Sequence, residues 1–250
     1  EKVCSPWQGV LGHLGEMRSP TQYPLAKDIV RWQGEPVAVV VANKRAIAED
    51  ASELVEIDYE DLDAQLDMET AMDKSTKVIH DKLGNNLFWT RTVNQGDVSE
   101  AFKQSHIVEE VTLDFARHTG VTLETRAIVA DWDSSEEKMT IYHNGQAPHM
   151  MQSIIAKHLN LSEGLVRIIS CDVGGSFGIK VHVYPDEMVT VAISKLLKRP
   201  VKFVADRLES YSTDIHSRCH KISGKIGVDD KGKILAFEID DLSGIGPFSV

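Results

Sequence analysis

The segment LVRIISCDVGGSFGIK, residues 165–180, places a short apolar run directly before a cluster of glycines. We predict that residues 165–170 form a buried strand. Gly174, Gly175 and Gly178 allow the backbone that follows to turn sharply and to approach a ligand, with successive N–H groups free to point at oxygen atoms. The segment therefore favours a loop that binds an oxyanion or an oxo group through its main chain.

The elements predicted around this loop place it at the edge of a sheet. Pro148 opens a helix that continues to Leu159, and Pro185 opens a second helix, since a proline loses no hydrogen bond in a first turn. Arg199-Pro200 ends the second helix, and a strand at 201–204 follows. A strand, a glycine loop, a helix and a strand in this order form a crossover, which brings the loop to the carboxyl end of a sheet. Further strands are predicted at residues 107–113, 127–130 and 139–142.

The first third of the chain predicts a separate strand–helix–strand unit. Residues 37–42 are a continuous apolar run, typical of a strand that is buried on both faces. Asn43 is placed to cap the helix that follows, and residues 57–59 alternate like a second strand. We therefore predict an α+β fold, with a domain boundary between residues 67 and 86.

The composition excludes several classes of function. The 250 residues are enough for two domains of ordinary size. Asp and Glu number 38 against 27 Lys and Arg, and no basic run occurs, which argues against a nucleic-acid partner. We predict no membrane partner, because no apolar stretch reaches the roughly 20 residues of a span and no secretion signal is recognised. Cys4, Cys171 and Cys219 form no paired motif, so a cytoplasmic location is expected.

Known phosphate-binding loops do not match the glycine cluster. A P-loop requires Gly-Lys followed by Ser or Thr, whereas Ile179 separates Gly178 from Lys180, and the fingerprint G-x-G-x-x-G is absent. The kinase triplets H-R-D and D-F-G do not occur either. On its own, the cluster fits a tight turn between a strand and a helix, without a ligand, as well as it fits a binding loop.

Several stretches of the chain, taken in order, resemble the large subunits of molybdenum hydroxylases. Gln146-Ala147-Pro148-His149 resembles a Gln-x-Pro-His segment of that family, and GGSFGIK at 174–180 is similar to its Gly-Gly-Gly-Phe-Gly-x-Lys loop. The chain is therefore identified as similar to the molybdopterin-binding large subunit of the xanthine dehydrogenase/aldehyde oxidase family. The other matching stretches are 31–40, 48–51, 55–60, 123–127, 184–187 and 199–202.

The resemblance implies which residues meet a cofactor. It implies that Gln146 donates a hydrogen bond to an oxo ligand of molybdenum. It also implies that Phe177 and Gly178, together with Gly175 and Ser176, lie beside the cofactor with N–H groups near an oxo or pterin atom. Ser176 stands where the family has glycine, which a small side chain tolerates if its φ is negative. We expect the Gln146 side chain to face the loop across a gap large enough for a ligand. No catalytic and no metal-ligating side chain is expected within the chain.

The resemblance also assigns the two predicted domains. Residues 1–75 would be a hammerhead-like α+β domain that is incomplete at its N-terminus. Residues 85–250 would be the first part of a molybdopterin-binding α/β domain that is incomplete at its C-terminus. We accordingly expect an internal fragment of a longer subunit. The family's catalytic glutamate lies in a Gly-x-Gly-Glu segment that this sequence lacks, so the fragment alone is expected to be inactive.

Members of the family oxidise an aldehyde or an N-heterocycle with oxygen derived from water. The resemblance implies a molybdopterin-type molybdenum cofactor, with the cytosine dinucleotide form as one option, and FAD and 2Fe-2S clusters in partner domains or subunits. The implied partners are the remainder of the molybdenum subunit, those FAD-binding and iron–sulfur units, and a small-molecule substrate. Val181 stands where purine-oxidising members often carry a glutamate, so purines are expected to be poor substrates. The alternative is a cofactor-free assembly or binding module of the same fold.

Overall fold

The computed structural model describes residues 3–9 and 16–248 of the chain. Residues 1–2, 10–15 and 249–250, which include the outer limits of both predicted domains, lie outside the described residues. The described helices are α1 (Arg45–Ser52), α2 (Val98–Lys103), α3 (Pro148–His158), α4 (Pro185–Leu197) and α5 (Arg207–Thr213). The described strands are β1 (Ile107–Phe115), β2 (Ala127–Asp133), β3 (Lys138–His143), β4 (Val166–Ile169), β5 (Val201–Val204), β6 (His220–Val228) and β7 (Ile234–Ser243). The α+β class predicted from the sequence is confirmed.

Four strands form a mixed sheet in the order β4-β3-β2-β5. β3 and β4 are parallel, whereas β2 is antiparallel to both of its neighbours. The register pairs Ala130 of β2 with Ile141 of β3 and with Val201 of β5. β3, β4 and β5 consequently run in the same direction and end at the same edge of the sheet. The four strands predicted for this part of the chain are all present, with ends shifted by a few residues.

Helices α3 and α4 pack on one face of this sheet. Both begin with a proline in the first turn, as the sequence predicts. Alternate side chains of β2 and β3 are buried against the two helices, because successive residues of a strand point to opposite faces. The core of this layer contains Ile128, Ala130, Trp132, Met139, Ile141, Met151, Ile155, Val166, Met188 and Val191, joined by Cys4 and Trp7 from the beginning of the chain.

The other three strands form an antiparallel sheet in the order β1-β6-β7. β1 confirms the strand predicted at 107–113, but it is exposed along its whole length. β6 and β7 lie in a part of the chain for which the sequence predicted no element. An antiparallel sheet satisfies its own main-chain hydrogen bonds, so it forms even where its side chains remain accessible.

The strand predicted at residues 37–42 is wrong. These residues adopt no regular secondary structure, and Val39 and Val41 are 43% and 45% exposed. An apolar run becomes a strand only where a neighbouring strand supplies hydrogen bonds, and within the described ranges no strand pairs with this run. The strand predicted at residues 57–59 is absent for the same reason.

The helix predicted after this run, from the cap at Asn43 through Glu56, is present but shorter than expected. Its N-cap is Lys44 rather than Asn43, and no side chain caps it. α1 ends at Ser52 and buries none of its residues, so it lacks the packing that extends most helices in proteins. No helix in the described part of the chain combines the length and the apolar character that a membrane span requires.

Candidate functional site

The carboxyl edge of the four-stranded sheet holds the turn that follows β3. The chain passes through Asn144 to Gln146, and Pro148 then begins α3. The Asn144 side chain accepts a hydrogen bond from the Ala127 N–H at 2.9 Å and donates one to the Thr125 carbonyl at 2.8 Å. The turn is therefore tied to the start of β2, and Gln146 is held at the sheet edge with an exposed side chain.

The glycine loop after β4 has a backbone that few side chains tolerate. The φ angle is 94° at Gly175, 52° at Phe177 and 92° at Gly178, whereas Ser176 stays outside the left-handed region. Serine in place of the expected glycine therefore adds no backbone strain. A left-handed phenylalanine is uncommon, and such residues concentrate at ligand-binding sites. The Phe177 side chain is 79% exposed, so burial of its ring within the described residues does not explain this conformation.

Gln146 meets the glycine loop through Ser176 and Lys180. The Ser176 hydroxyl donates a hydrogen bond to Gln146 Oε1 and accepts one from the Lys180 N–H at 3.0 Å. The Gln146 N–H donates to the Lys180 carbonyl at 3.1 Å. The two segments lie side by side, as the sequence predicts. The expected gap between the glutamine side chain and Ser176 is absent, because the serine hydroxyl, which a glycine would lack, fills it.

Several hydrogen-bond donors at this junction have no partner. The N–H groups of Gly175, Ser176, Phe177 and Gly178 donate to no group within residues 3–9 and 16–248. Nε2 of Gln146 likewise has no partner within those ranges. Four consecutive main-chain donors and one amide donor are thus available to an acceptor such as an oxo or phosphate oxygen.

A cavity of about 240 Å³ opens at the same sheet edge. Its lining includes Glu124, Asn144, Cys171 and Asp172, together with the ends of β2 and β5. Pockets that enclose a small ligand usually measure about 300–1,000 Å³. The cavity is smaller than such a pocket.

A buried arginine supports the segment that follows the loop. The Arg126 side chain is 1% exposed, and its nitrogens lie 2.7 Å from carboxylate oxygens of both Asp186 and Asp214. Its guanidinium carbon lies 3.7 Å from the centroid of the Tyr184 ring. The Tyr184 hydroxyl donates a hydrogen bond to the Ile179 carbonyl at 2.9 Å. Arg126 is thereby connected through Tyr184 to the end of the glycine loop.

The charges around Arg126 influence one another strongly. Burial opposes the charge on Arg126, but Asp186 and Glu187 raise its pKa well above the ordinary value. Burial raises the pKa of Asp186. Burial also acts to raise the pKa of Glu187, but His143, whose Nε2 lies 3.2 Å from Glu187 Oε2, and Arg126 together lower it. Arg126 and Glu187 are therefore both ionised at neutral pH.

The structure adds residues to which the sequence assigned no role at the site. Lys180 Nζ lies 2.7 Å from Glu124 Oε2, directly beside the glycine loop. The signal in the sequence was the position of Lys180 between two apolar residues, Ile179 and Val181, which indicates a buried charge that needs a partner. Among the described residues, no group of three or more His, Cys, Asp or Glu side chains is arranged to hold a metal ion.

Comparison with protein families gives two matches along the chain. Residues 79–250 match the family described as the molybdopterin cofactor-binding domain. Residues 8–63 match the a/b hammerhead domain of aldehyde oxidase and xanthine dehydrogenase. The first match alone covers more than half of the chain, and it contains Gln146 and the glycine loop.

Individual relatives agree with these matches. The chain is 35% identical over 210 residues to the large subunit of nicotine 6-hydroxylase from Paenarthrobacter nicotinovorans, covering 84% of this chain and 26% of that protein. It is 30% identical over 237 residues to the large chain of carbon monoxide dehydrogenase from Hydrogenophaga pseudoflava, covering 90% of this chain and 30% of that protein. The crystal structure of quinoline 2-oxidoreductase from Pseudomonas putida 86 has a TM-score of 0.90 and 28% identity, over 96% of this chain and 30% of that one. The chain thus spans less than a third of the length of these three relatives.

Proposed function

Because the chain belongs to the xanthine dehydrogenase/aldehyde oxidase family and carries its molybdopterin cofactor-binding domain, we propose that it is part of the large subunit of a molybdenum hydroxylase. The proposed reaction is the oxidation of an aldehyde or an N-heterocycle with oxygen derived from water. The molybdenum cofactor, when bound, supplies the two-electron oxidation, while the protein binds and orients it. Electrons then pass to iron–sulfur and FAD units.

The observation that carries the proposal is the set of unpartnered donors where Gln146 meets the glycine loop. A molybdopterin-type cofactor presents oxo, pterin and phosphate atoms that accept hydrogen bonds, so its chemistry fits four free N–H groups and a free amide. A Cβ atom placed on Gly178 would meet no atom within 4 Å, so the space beside this glycine is open to a ligand. The residues present therefore fit the cofactor.

Each residue of the site has a proposed task. The Ser176 hydroxyl occupies Gln146 Oε1, which leaves Nε2 as the atom of that amide that donates to an oxo ligand. The N–H groups of Gly175, Ser176, Phe177 and Gly178 donate to oxo or pterin atoms. The positive φ angles at Gly175, Phe177 and Gly178 give the loop the irregular backbone that can turn successive N–H groups toward one ligand.

The same proposal covers organisation, partners and location. We propose that residues 1–75 form the hammerhead-like domain and that residues 85–250 form the first part of the molybdopterin-binding domain. The family matches at residues 8–63 and 79–250 support this division. The partners are the remainder of the subunit and separate or fused units that hold FAD and 2Fe-2S clusters. Three free cysteines without a disulfide among the described residues are compatible with a cytoplasmic location.

The names of the relatives support the substrate class. Nicotine and quinoline, named for two of them, are both N-heterocycles. Val181 follows Lys180 in the glycine loop and cannot form a hydrogen bond with a purine through its side chain. We therefore propose an N-heterocycle without the purine pattern, or an aldehyde, as the substrate.

The test is to purify the complete enzyme that contains this chain and to determine its molybdenum and pterin content. We expect about one molybdenum and one pterin per large subunit, and release of cytidine monophosphate on acid treatment identifies the cytosine dinucleotide form. Gln146→Ala should lower turnover on the order of 10–100-fold, the usual effect of removing a hydrogen-bond partner from a metal centre.

Gln104→Ala is the matched control, because Gln104 is an exposed glutamine at the end of α2 whose side chain, among the described residues, bonds only to Glu100, at 3.2 Å. It should retain wild-type turnover. A purified complex that contains neither molybdenum nor pterin would favour the cofactor-free binding module. A Gln146→Ala enzyme as active as the Gln104→Ala enzyme would remove Gln146 from the site.

A further inference from the structure

Lys180 places a positive charge inside the protein at the end of the glycine loop. Its side chain is 1% exposed, and Nζ lies 2.7 Å from Glu124 Oε2. An ammonium group is rarely buried without a partner, because the loss of hydration is costly. Glu124, whose side chain is 40% exposed, is the acid that pairs with it within the described ranges.

Glu124 also holds the first residue of the loop. The carboxylate oxygen that pairs with Lys180 accepts a hydrogen bond from the Gly174 N–H at 2.8 Å. The Glu124 N–H donates to the Gly174 carbonyl at 3.3 Å. A Cβ atom on Gly174 would lie 2.5 Å from the Glu124 Cβ, so the two backbones approach as closely as a glycine permits. Glu124 is thus bound to both ends of the loop, to Gly174 at its beginning and to Lys180 at its end.

The main chain of Lys180 extends this connection to Gln146. Its carbonyl accepts a hydrogen bond from the Gln146 N–H at 3.1 Å, and its N–H donates to the Ser176 hydroxyl at 3.0 Å. That hydroxyl in turn donates to Gln146 Oε1. A displacement of Lys180 would therefore move both the glutamine amide and the loop residue that orients it.

We propose that the Glu124–Lys180 ion pair is a positioning device that fixes Gln146 and the N–H groups of residues 175–178 in one geometry toward the cofactor. This inference rests on the proposed function of that edge. The pair makes no contact with the reacting atoms and acts through the loop that it closes. Burial acts to raise the pKa of Glu124, but hydrogen bonds from Lys180 and Gly174 and the lysine charge lower it, so the carboxylate is ionised at neutral pH.

The test compares four variants of the complete enzyme. Glu124→Gln keeps the shape of the acid and removes its charge, and Lys180→Met removes the other charge. The double variant Glu124→Gln with Lys180→Met leaves no buried charge unpaired, and such replacements are often neutral for stability. Glu136→Gln is the control, because Glu136 pairs with Lys138 at 2.5 Å on an exposed turn between β2 and β3.

Two measurements that do not depend on turnover report the position of the loop. Hydrogen–deuterium exchange should be at least about tenfold faster at the main-chain N–H groups of residues 174, 180 and 146 in Glu124→Gln and in the double variant. These three N–H groups are hydrogen-bonded within the loop and its junction with Gln146, and local opening is controlled by such bonds. The electron paramagnetic resonance spectrum of Mo(V) should change in both. Turnover should fall on the order of 10–100-fold with little change in KM, by analogy with other groups that orient a metal site.

The double variant separates positioning from stability. It should unfold at the wild-type temperature and still show the faster exchange, the altered spectrum and the lower kcat, even where a single variant fails to fold. Wild-type exchange and an unchanged spectrum in the double variant would overturn the inference. A wild-type enzyme without molybdenum would instead refute the proposed function, and the exchange measurement would still decide whether the pair positions the loop.

Discussion

Replacing Arg126 by methionine would remove one buried guanidinium and leave its partners in place. The side chains of Asp186, Glu187 and Asp214 are 14%, 2% and 4% exposed and would lose the guanidinium that they share, while Glu187 would keep its contact with His143. Methionine fills part of the volume and still packs on Tyr184. The variant therefore isolates the loss of charge and hydrogen bonds from the creation of a cavity.

The expected loss follows from the burial of these groups. Removing one member of a buried ion pair destabilises a protein by about 3–5 kcal/mol, because a charge remains without compensation. For a chain of this size, each kcal/mol lowers the melting temperature by roughly 2–4 °C, so a decrease of roughly 6–20 °C is expected. Lys138→Met is the control, because its ion pair with Glu136 is exposed to solvent and contributes little to stability.

The stability of the Arg126→Met chain should also depend on pH in a specific direction. Burial already raises the pKa of Asp186, and without Arg126, which acts to lower it, the folded-state pKa of this carboxyl should rise further. A carboxyl with a raised folded-state pKa binds more protons in the folded than in the unfolded chain, so stability falls as the pH rises through that range. The Arg126→Met chain should consequently melt at a higher temperature at about pH 5 than at about pH 8.

Thermal unfolding of the purified chain, followed by near-ultraviolet circular dichroism at several pH values, measures both effects. A variant that melts within about 2 °C of the wild type at pH 8 would show that Arg126 carries little of the stability. A variant that loses further stability on acidification would refute the argument from buried carboxylates.

Three further predictions concern the loop and the substrate. Gly174→Ala should destabilise the chain by about 1–3 kcal/mol, since its Cβ would lie 2.5 Å from that of Glu124. Gly164→Ala, whose Cβ would meet only the Ser162 hydroxyl at 3.9 Å, is the control, and equal melting of the two variants would contradict the prediction. In the complete enzyme, xanthine and hypoxanthine should have lower kcat/KM than other N-heterocycles or aldehydes. The Val181 side chain cannot form a polar contact with a purine, and the missing contact should cost about 1–3 kcal/mol. Efficient xanthine turnover would show that another residue makes this contact. The isolated 250-residue chain should turn over none of these substrates, because its sequence lacks the Gly-x-Gly-Glu segment, and molybdenum-dependent turnover by that chain would disprove this.

Local sequence signals predicted some elements well and missed others for identifiable reasons. α3 and α4 were predicted because a proline opens each helix and apolar residues recur along one face. α5 was missed although Asp206 and Glu209 form a capping box, which is a signal of a helix start that can be read from the sequence. The strand predicted at residues 37–42 failed because apolar character indicates burial but supplies no neighbouring strand.

By itself, the sequence determined the order of elements in the second domain, the resemblance to a family and the identity of the glycine loop, since each depends on residues that are close together along the chain. Only the tertiary structure decided that Ser176 binds Gln146, 30 residues away, and that Arg126 binds Asp214, 88 residues away. It also decided that Lys180 is buried against Glu124. Such pairs depend on the register of β2, β3 and β4 and on the path of the loops between them, and no local periodicity encodes which side chains a sheet edge brings together.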